Sequence, residues 1–135
     1  MKQKILQLLV LFLIAIALNG VWEFVHQSLY TVHGEAVPIT RLVQSIIGDG
    51  LIVVALFLIA RRRYPIIMLL GLLIAIMVET HAVYYAHLWE YRASMPTILG
   101  LGLTPLLQMI LLPSLSIWLM DRLFGTVGSK IVARF

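Results

Sequence analysis

The chain has 135 residues, of which 61% are hydrophobic and 12% are charged, and its mean hydropathy is +1.01. Because soluble domains carry about 25% charged residues, this composition excludes an ordinary soluble protein and indicates several membrane spans. The net charge of +4 is explained by basic residues beside those spans, so no nucleic-acid partner is predicted. The absence of cysteine excludes disulfides and thiolate metal sites.

The first predicted element is a transmembrane helix over about residues 4–30. Its opening, residues 1–17, also has the features of a signal peptide: a basic start, a short apolar core and Ala15-Ile16-Ala17 as a cleavage sequence. The apolar pattern continues past Asn19 to Val25, so we expect the segment to be retained as the first span. A loop that contains glycine and proline, residues 33–40, should follow it.

Three further spans are predicted over about residues 41–60, 65–91 and 104–124. The second ends at the arginine triplet 61–63, and Pro65 is suited to the first turn of the third. The connection over residues 92–103 is too apolar for a solvated loop, so it should lie in the membrane interface or fold back toward the bundle. The prediction is an all-α fold, a single four-transmembrane-helix bundle that takes up residues 1–135.

Proline and glycine inside the spans predict local features of the helices. Pro113 predicts a kink in the fourth helix. Gly48 and Gly50, on either side of Asp49, would permit close helix packing. Thr104 is suited to cap the N-terminus of the fourth helix.

The basic residues predict the orientation of the bundle. Eight of the ten lysines and arginines belong to the N-terminal segment, the connection between spans two and three, and the C-terminal segment: Lys2, Lys4, Arg61, Arg62, Arg63, Arg122, Lys130 and Arg134. The other two connections hold only Arg41 and Arg92. By the positive-inside rule both termini should be cytoplasmic, in the cell (inner) membrane of a multi-pass protein.

The polar residues within the spans fall at similar depths. With a rise of about 1.5 Å per helical residue, Asp49 lies about 18 Å from the arginine triplet and Glu79 about 21 Å from Pro65. Gln108 lies about 20 Å from Asp121 by the same calculation. Since the hydrocarbon core is about 30 Å thick, these side chains should meet in the outer half of the membrane.

Helical spacing places most of these side chains on shared faces. Asn19, Glu23, His26 and Tyr30 form one stripe, and Glu79, His87 and Glu90 share a face of the third span. The sequence therefore predicts an aromatic-rimmed pocket in the outer leaflet, lined by Asn19, Trp22, Tyr30, Ser45, His81, His87, Trp89, Glu90, Tyr91 and Gln108. For the aromatic residues, an interfacial belt without any ligand is the alternative interpretation.

Four ionisable residues are the candidates for catalysis: Glu79, Asp49, Glu23 and His26. Ionisable groups inside a membrane are costly unless they have a function or a partner. Two carboxylates at similar depth could share a proton, bind a cation or act as an acid–base pair. The alternative is a structural network in which Asp49 pairs with Arg41 or Arg92.

No cofactor is predicted. The Glu23-x-x-His26 spacing occurs in carboxylate-bridged metal sites of helical bundles, but such sites need a second pair of the same kind. A metal ion at Glu23, His26 and Glu79 is therefore an incomplete pattern, and hydrogen bonding of Glu23 to Tyr or Trp is the alternative. Motifs of serine hydrolases, zinc proteases and phosphate-binding loops are absent from the sequence.

Several segments together resemble a group of small, uncharacterised prokaryotic four-span integral membrane proteins. They are Trp22-Glu23 with His26, Gly48-Asp49, Trp89-x-Tyr91 with Met95-Pro96, and Gly102-Leu103-x-Pro105-Leu106-Leu107-Gln108. The resemblance covers most of the chain and implies that these residues act together, but no activity comes with it. A looser likeness is to the small membrane domains of carotenoid cyclases and hydratases, although the proline–acid motif expected there is missing.

Two functions are compatible with these patterns. The first is a binding protein or accessory subunit of a membrane complex, in contact with the bilayer, a lipid or isoprenoid ligand, and other membrane subunits or further copies of itself. The second is a membrane-embedded enzyme that uses acid–base carboxylates on a lipid or carotenoid-like isoprenoid. A proton or cation conductor is less favoured because the cytoplasmic half of the bundle is almost purely apolar.

Overall fold

The computed structural model describes residues 2–132, and it describes side chains as far as residue 125. It contains the helices α1 (Lys2–His26), α2 (Ile39–Ala60), α3 (Tyr64–Glu79) and α4 (Leu103–Val132). Four helical segments of the described chain are long and apolar enough to cross a membrane. The prediction of an all-α, four-helix membrane bundle is confirmed. Met1 and residues 133–135, and with them Arg134 of the charge count, lie outside the described residues.

The third span differs from its prediction. α3 ends at Glu79, a π-helical segment continues over Thr80–Tyr85, and the chain then leaves the helix, so the predicted helix over residues 86–91 is wrong. The wide turn is closed by the Ala86 amide, which donates to the His81 carbonyl at 2.8 Å. Each π turn holds an extra residue, so side chains beyond Glu79 no longer keep α-helical facing.

Two short strand pairs form the end of the bundle opposite the arginine triplet. β1 (Tyr30–Thr31), which follows the 3₁₀ turn Gln27–Leu29, pairs antiparallel with β2 (Glu90–Tyr91), and Tyr30 is opposite Tyr91. β3 (Thr97–Ile98) and β4 (Leu101–Gly102) form a hairpin that leads into α4. The first pair ties α1 to the segment after α3 and thereby holds the aromatic residues of both connections together.

The other end of the bundle, which we call the arginine end, is packed with apolar side chains. Its buried cluster consists of Leu11, Ala15, Val53, Leu56, Ala60, Ile67, Ile117 and Met120. Arg62, in the tight turn between α2 and α3, donates two hydrogen bonds to Asp121 of α4, at 2.8 and 2.7 Å. The hydrogen bond to Asp121 is the main cause of a raised pKa at Arg62, and partial burial opposes it.

The α3–α4 contact is close because of one glycine and one proline. A Cβ atom added to Gly71 would lie 2.0 Å from the Met109 carbonyl oxygen. Pro113, four residues after Met109, has no amide hydrogen, so the Met109 carbonyl lacks its usual helical donor. Pro113 is buried inside α4, and the carbonyl it releases faces the backbone of α3.

Candidate functional site

A cavity of about 290 Å³ lies between α2 and the α3–α4 pair, at the end of the bundle opposite the arginines. All four helices contribute to its lining. Carboxylates of three helices reach it, namely Glu23, Asp49 and Glu79. Much of the remaining wall is apolar and includes Leu42, Ile52, Ile74, Ala75, Val78 and Met109. Apolar walls with a few convergent polar groups are the usual composition of a small-molecule site.

Gln108 is the centre of the polar part of the cavity. It is buried, and its Nε2 atom lies 2.9 Å from Asn19 Oδ1, 3.1 Å from Glu23 Oε1 and 2.8 Å from Asp49 Oδ2. The Asn19 amide nitrogen in turn donates to the Ala15 carbonyl at 2.9 Å, which leaves its oxygen to accept from Gln108. Because a side-chain amide has two hydrogens, Gln108 cannot give a full hydrogen bond to all three acceptors. This site therefore has more acceptors than donors.

His26 lies beside this network on the next turn of α1. Its Nδ1 atom is 2.8 Å from the Trp22 carbonyl oxygen, which can only accept, so Nδ1 carries a hydrogen and donates it. Its Nε2 atom is 3.8 Å from Glu23 Oε2. The imidazole is thereby oriented by the backbone, with its second nitrogen directed toward a cavity carboxylate.

Glu79 forms a second polar group at the end of α3. Its Oε2 atom accepts a hydrogen bond from the Tyr91 hydroxyl at 2.6 Å and a longer one from the Trp89 indole at 3.4 Å. Both donors come from the irregular segment after α3, which returns to this point because β2 pairs with β1. A short bond from a neutral donor is one way of satisfying a buried carboxylate.

Five rings are packed around these carboxylates. His26 contacts Trp22 and Tyr30, and Tyr30 contacts Trp89 and Tyr91, with ring centroids 5.3–6.3 Å apart. Burial raises the pKa of the Tyr30 phenol, and the neighbouring Glu79 and Glu23 raise it further. Burial and the hydrogen bond to Glu79 likewise raise the pKa of Tyr91. Both phenols therefore stay protonated and act as donors at physiological pH.

The structure brings most of the predicted site residues together. Eight of them line the cavity: Glu23, His26, Tyr30, Ser45, Asp49, Glu79, Trp89 and Gln108. Three others contact this group from behind: Asn19 through Gln108, Tyr91 through Glu79, and Trp22 through the ring of His26. The Trp22 indole nitrogen is buried without a hydrogen-bond partner among the described residues.

Three predicted pocket residues lie outside the cavity. His81, His87 and Glu90 are exposed and do not line it, so their assignment to the pocket is wrong. The prediction assumed α-helical spacing after Glu79, whereas the chain there is π-helical and then irregular. His87 has a positive φ of 49°, which belongs to a turn and not to a helix.

The predicted pairing of Asp49 with arginine is also corrected. Arg92 donates through Nε to the Tyr30 carbonyl at 3.3 Å, and Asp49 is hydrogen-bonded to Gln108 instead. Arg41 lines the cavity but forms no ion pair with a cavity carboxylate in the described part of the chain. No group of three or more His, Cys, Asp or Glu side chains within the described residues is placed to hold a metal ion, so the pattern of Glu23, His26 and Glu79 does not form one.

The apolar half of the cavity was not predicted. Ile52, Ile74, Val78 and Met109 look like any other residue of a membrane span, so nothing in the sequence distinguishes them. Gly48 is a different case, because it was interpreted as a packing residue. The space beside it is open, with no atom within 4 Å of an added Cβ, whereas Gly50 does pack closely, against Phe12 and Ile16.

The comparisons with known proteins give no family for this chain. No protein-family model, curated protein or solved structure matches it. The chemical capability of the site must therefore be argued from its geometry. Two carboxylates that face one shared donor can hold a proton between them, and the neighbouring apolar space can take a hydrocarbon group.

Proposed function

We propose that this integral membrane protein binds an amphipathic small molecule in the cavity between α2 and the α3–α4 pair. The observation that carries the proposal is the convergence of Glu23, Asp49, Glu79 and Gln108 on one cavity whose other walls are apolar. Buried carboxylates cost several kcal/mol in a membrane (about 2.5 kcal/mol or more for each at mid-helix). A stability role alone does not account for placing three of them around empty space.

The ligand class that fits this cavity is a lipid or an isoprenoid. Its polar group would lie against Gln108 and the carboxylates, and its hydrocarbon part against Ile52, Ile74 and Val78. A binding protein of this size would serve as an accessory subunit of a membrane complex, or act as a homo-oligomer, with its lipid-facing helices available for contact.

The orientation that we propose puts both termini in the cytoplasm of the inner (cell) membrane. The arginine turn and the basic N-terminal segment then lie on the cytoplasmic side, as the positive-inside rule requires. The cavity, at the other end of the bundle, opens in the outer leaflet.

The test is the identity of what the protein retains on purification. We expect mass spectrometry of an extract of the purified full chain to detect one amphipathic molecule at near-stoichiometric amount. Gly48→Leu, which fills open space at the cavity wall, should remove it. Gly125→Leu is the matched control, since Gly125 is exposed, has equally open surroundings and does not line the cavity.

An extract of the wild type with bulk lipids alone, in the same proportions as the Gly48→Leu extract, would contradict the proposal. Co-purification of a stoichiometric protein in both variants, without a small molecule, would identify an accessory subunit whose cavity is not a ligand site.

The second candidate function is a membrane-embedded enzyme acting on a lipid or isoprenoid. It is favoured by the geometry around Gln108, since two carboxylates that share one donor can act as acid and base in one step. Asp49 and Glu23 would then transfer the proton, and Glu79, held by Tyr91, would orient the substrate. Incubation of the extracted molecule with wild-type protein should convert it, and Asp49→Asn should abolish conversion while retaining the molecule. Unchanged molecule in both samples would exclude this candidate.

A further inference from the structure

The cavity has one flank that is less well closed than the others. α1 packs closely against α2 and α4, and α3 packs closely against α4, whereas α2 makes few contacts with α3 or α4. The short turn after Ala60 joins α2 to α3 only at the arginine end. Toward the cavity end a cleft therefore separates the two helices.

Residues at the edge of this cleft face both the cavity and the surroundings. Gln44 of α2 and Val78 of α3 line the cavity and are nevertheless exposed, Val78 by 43%. Side chains that do both mark the rim of an opening. Since α2 and α3 are membrane spans, an opening between them at this depth faces the acyl chains of the lipid.

The charge of the cavity is not balanced by the protein. None of the carboxylates of Glu23, Asp49 and Glu79 forms an ion pair with a lysine or arginine of the described residues, and the nearest cationic group is the His26 imidazole beside Glu23. Arg41 is the one lysine or arginine among the described lining residues. Charged groups in membranes normally pair with one another or with a substrate.

The hydrogen bonding points in the same direction. Asn19, Glu23 and Asp49 compete for the two hydrogens of the Gln108 amide, so acceptor capacity is left over at this spot. The rings of Tyr30 and Trp89 also line the cavity, and aromatic faces attract cations. A group that brings positive charge and N–H donors complements this lining.

We propose that the α2–α3 cleft admits an amphiphile with a protonated amine head group from the lipid phase. The ammonium group binds between Glu23 and Asp49, and the hydrocarbon chain runs past Ile52 and Val78 into the cleft. This inference rests on the proposed binding function and names the chemical class of its ligand. It is carried by the charge complementarity of the cavity and by the exposed rim.

The test compares three probes with the same twelve-carbon chain. Full-length protein in nanodiscs of zwitterionic lipid is titrated at pH 7 with dodecylammonium, 1-dodecanol and dodecanoate, and empty nanodiscs are subtracted. We expect dodecylammonium to bind at least tenfold more tightly than the neutral or the anionic probe. Glu23→Gln with Asp49→Asn should remove this preference, and the wild-type series decides the question if that variant does not fold.

The entrance is tested with a matched pair of substitutions on neighbouring residues. Val78→Trp narrows the cleft and should slow binding of dodecylammonium at least tenfold. Met77→Trp is the control, because Met77 is exposed by 71% and does not line the cavity. Equal effects of the two would exclude the cleft as the entrance.

The possible failures are distinguishable. Equal or tighter binding of 1-dodecanol or dodecanoate would overturn the ammonium head group, and a preference for dodecanoate would indicate recognition by Arg41. The proposed binding function would survive either result. No binding of any probe, together with an extract that contains only bulk lipid, would overturn both.

Discussion

The Tyr91 hydroxyl donates a hydrogen bond of 2.6 Å to Oε2 of Glu79, twelve residues earlier in the chain. Glu79 is the last residue of α3 and is only 4% exposed, whereas Tyr91 belongs to the two-residue strand β2. A buried carboxylate inside a membrane span is thus satisfied by a side chain from outside it. The strand pair β1–β2 is what holds Tyr91 in place.

Replacement of Tyr91 by Phe should destabilise the protein. It removes a hydrogen bond to a buried acidic group, which is worth about 2 kcal/mol. We expect a lower thermal unfolding midpoint for detergent-solubilised protein, measured by fluorescence-detected size exclusion. Tyr85→Phe is the control, because Tyr85 is 75% exposed and its hydroxyl makes no hydrogen bond within the described residues. Equal midpoints for wild type and Tyr91→Phe would show that the bond contributes nothing.

The same bond predicts a pH dependence on the alkaline side. The pKa of Tyr91 is raised by burial and by Glu79, so the folded state holds this proton more tightly than the unfolded state, whose tyrosine pKa is about 10. The stabilisation is then fully present below about pH 10 and decreases as the pH rises beyond it. The difference in midpoint between wild type and Tyr91→Phe should therefore shrink above about pH 10. A difference that grows with pH would contradict the assignment.

Gln108→Leu should have a larger effect than the loss of one hydrogen bond. It leaves Asn19, Glu23 and Asp49 without their shared donor, so two carboxylates face each other in a membrane interior. We expect a loss of about 3 kcal/mol or more and partial recovery when Asp49→Asn is added, since that change removes a charge. Gln44→Leu is the control for the same substitution at an exposed site. A mild effect equal to that of Gln44→Leu would argue against a central role for Gln108.

Gly71→Ala should disrupt the α3–α4 contact. The added methyl group would lie 2.0 Å from the Met109 carbonyl oxygen, and backbone cannot rotate away as a side chain can. We expect a loss of about 2 kcal/mol or more from overpacking, seen as a lower midpoint or loss of monodisperse protein. Gly20→Ala makes the same change where the nearest atom is 3.9 Å away. That variant should be as stable as the wild type, and similar midpoints for both would refute the close contact.

Asp121→Asn should change stability only slightly. The Arg62–Asp121 pair has good bidentate geometry, but the Arg62 side chain is 53% exposed and that of Asp121 is 29% exposed. Exposed pairs contribute less than about 1 kcal/mol and are weakened by salt. The difference in midpoint from wild type should therefore be small at low ionic strength and smaller still at high ionic strength. A large, salt-independent loss would show that the pair is more strongly coupled to folding than its exposure implies.

The absence of cysteine permits a direct test of the proposed orientation. Ser94→Cys and Arg63→Cys each place one thiol at an exposed position, at opposite ends of the bundle. In intact cells a membrane-impermeant maleimide should label Ser94→Cys and should label Arg63→Cys only after the membrane is opened. The reverse pattern would invert the bundle and put the cavity in the cytoplasmic leaflet.

The amino-acid sequence by itself determined the four spans, because apolar runs of about twenty residues have no other stable environment. It also predicted that Glu23, Asp49, Glu79 and Gln108 lie at one level, since helical rise converts residue number into depth. These predictions depend only on local geometry, which the backbone obeys wherever the chain remains α-helical. They lost accuracy at Glu79, where the π-helical segment begins and His81, His87 and Glu90 turn outward.

Only the tertiary structure decided which groups are partners. The pairing of Tyr30 with Tyr91 brings the hydroxyl of Tyr91 to Glu79, and no spacing within a single helix contains that information. The same holds for the open space beside Gly48 and for the cleft at Val78. Both depend on how far α2 stands from α3 and α4, and that separation results from packing among all four helices, so it cannot be read from any one of them.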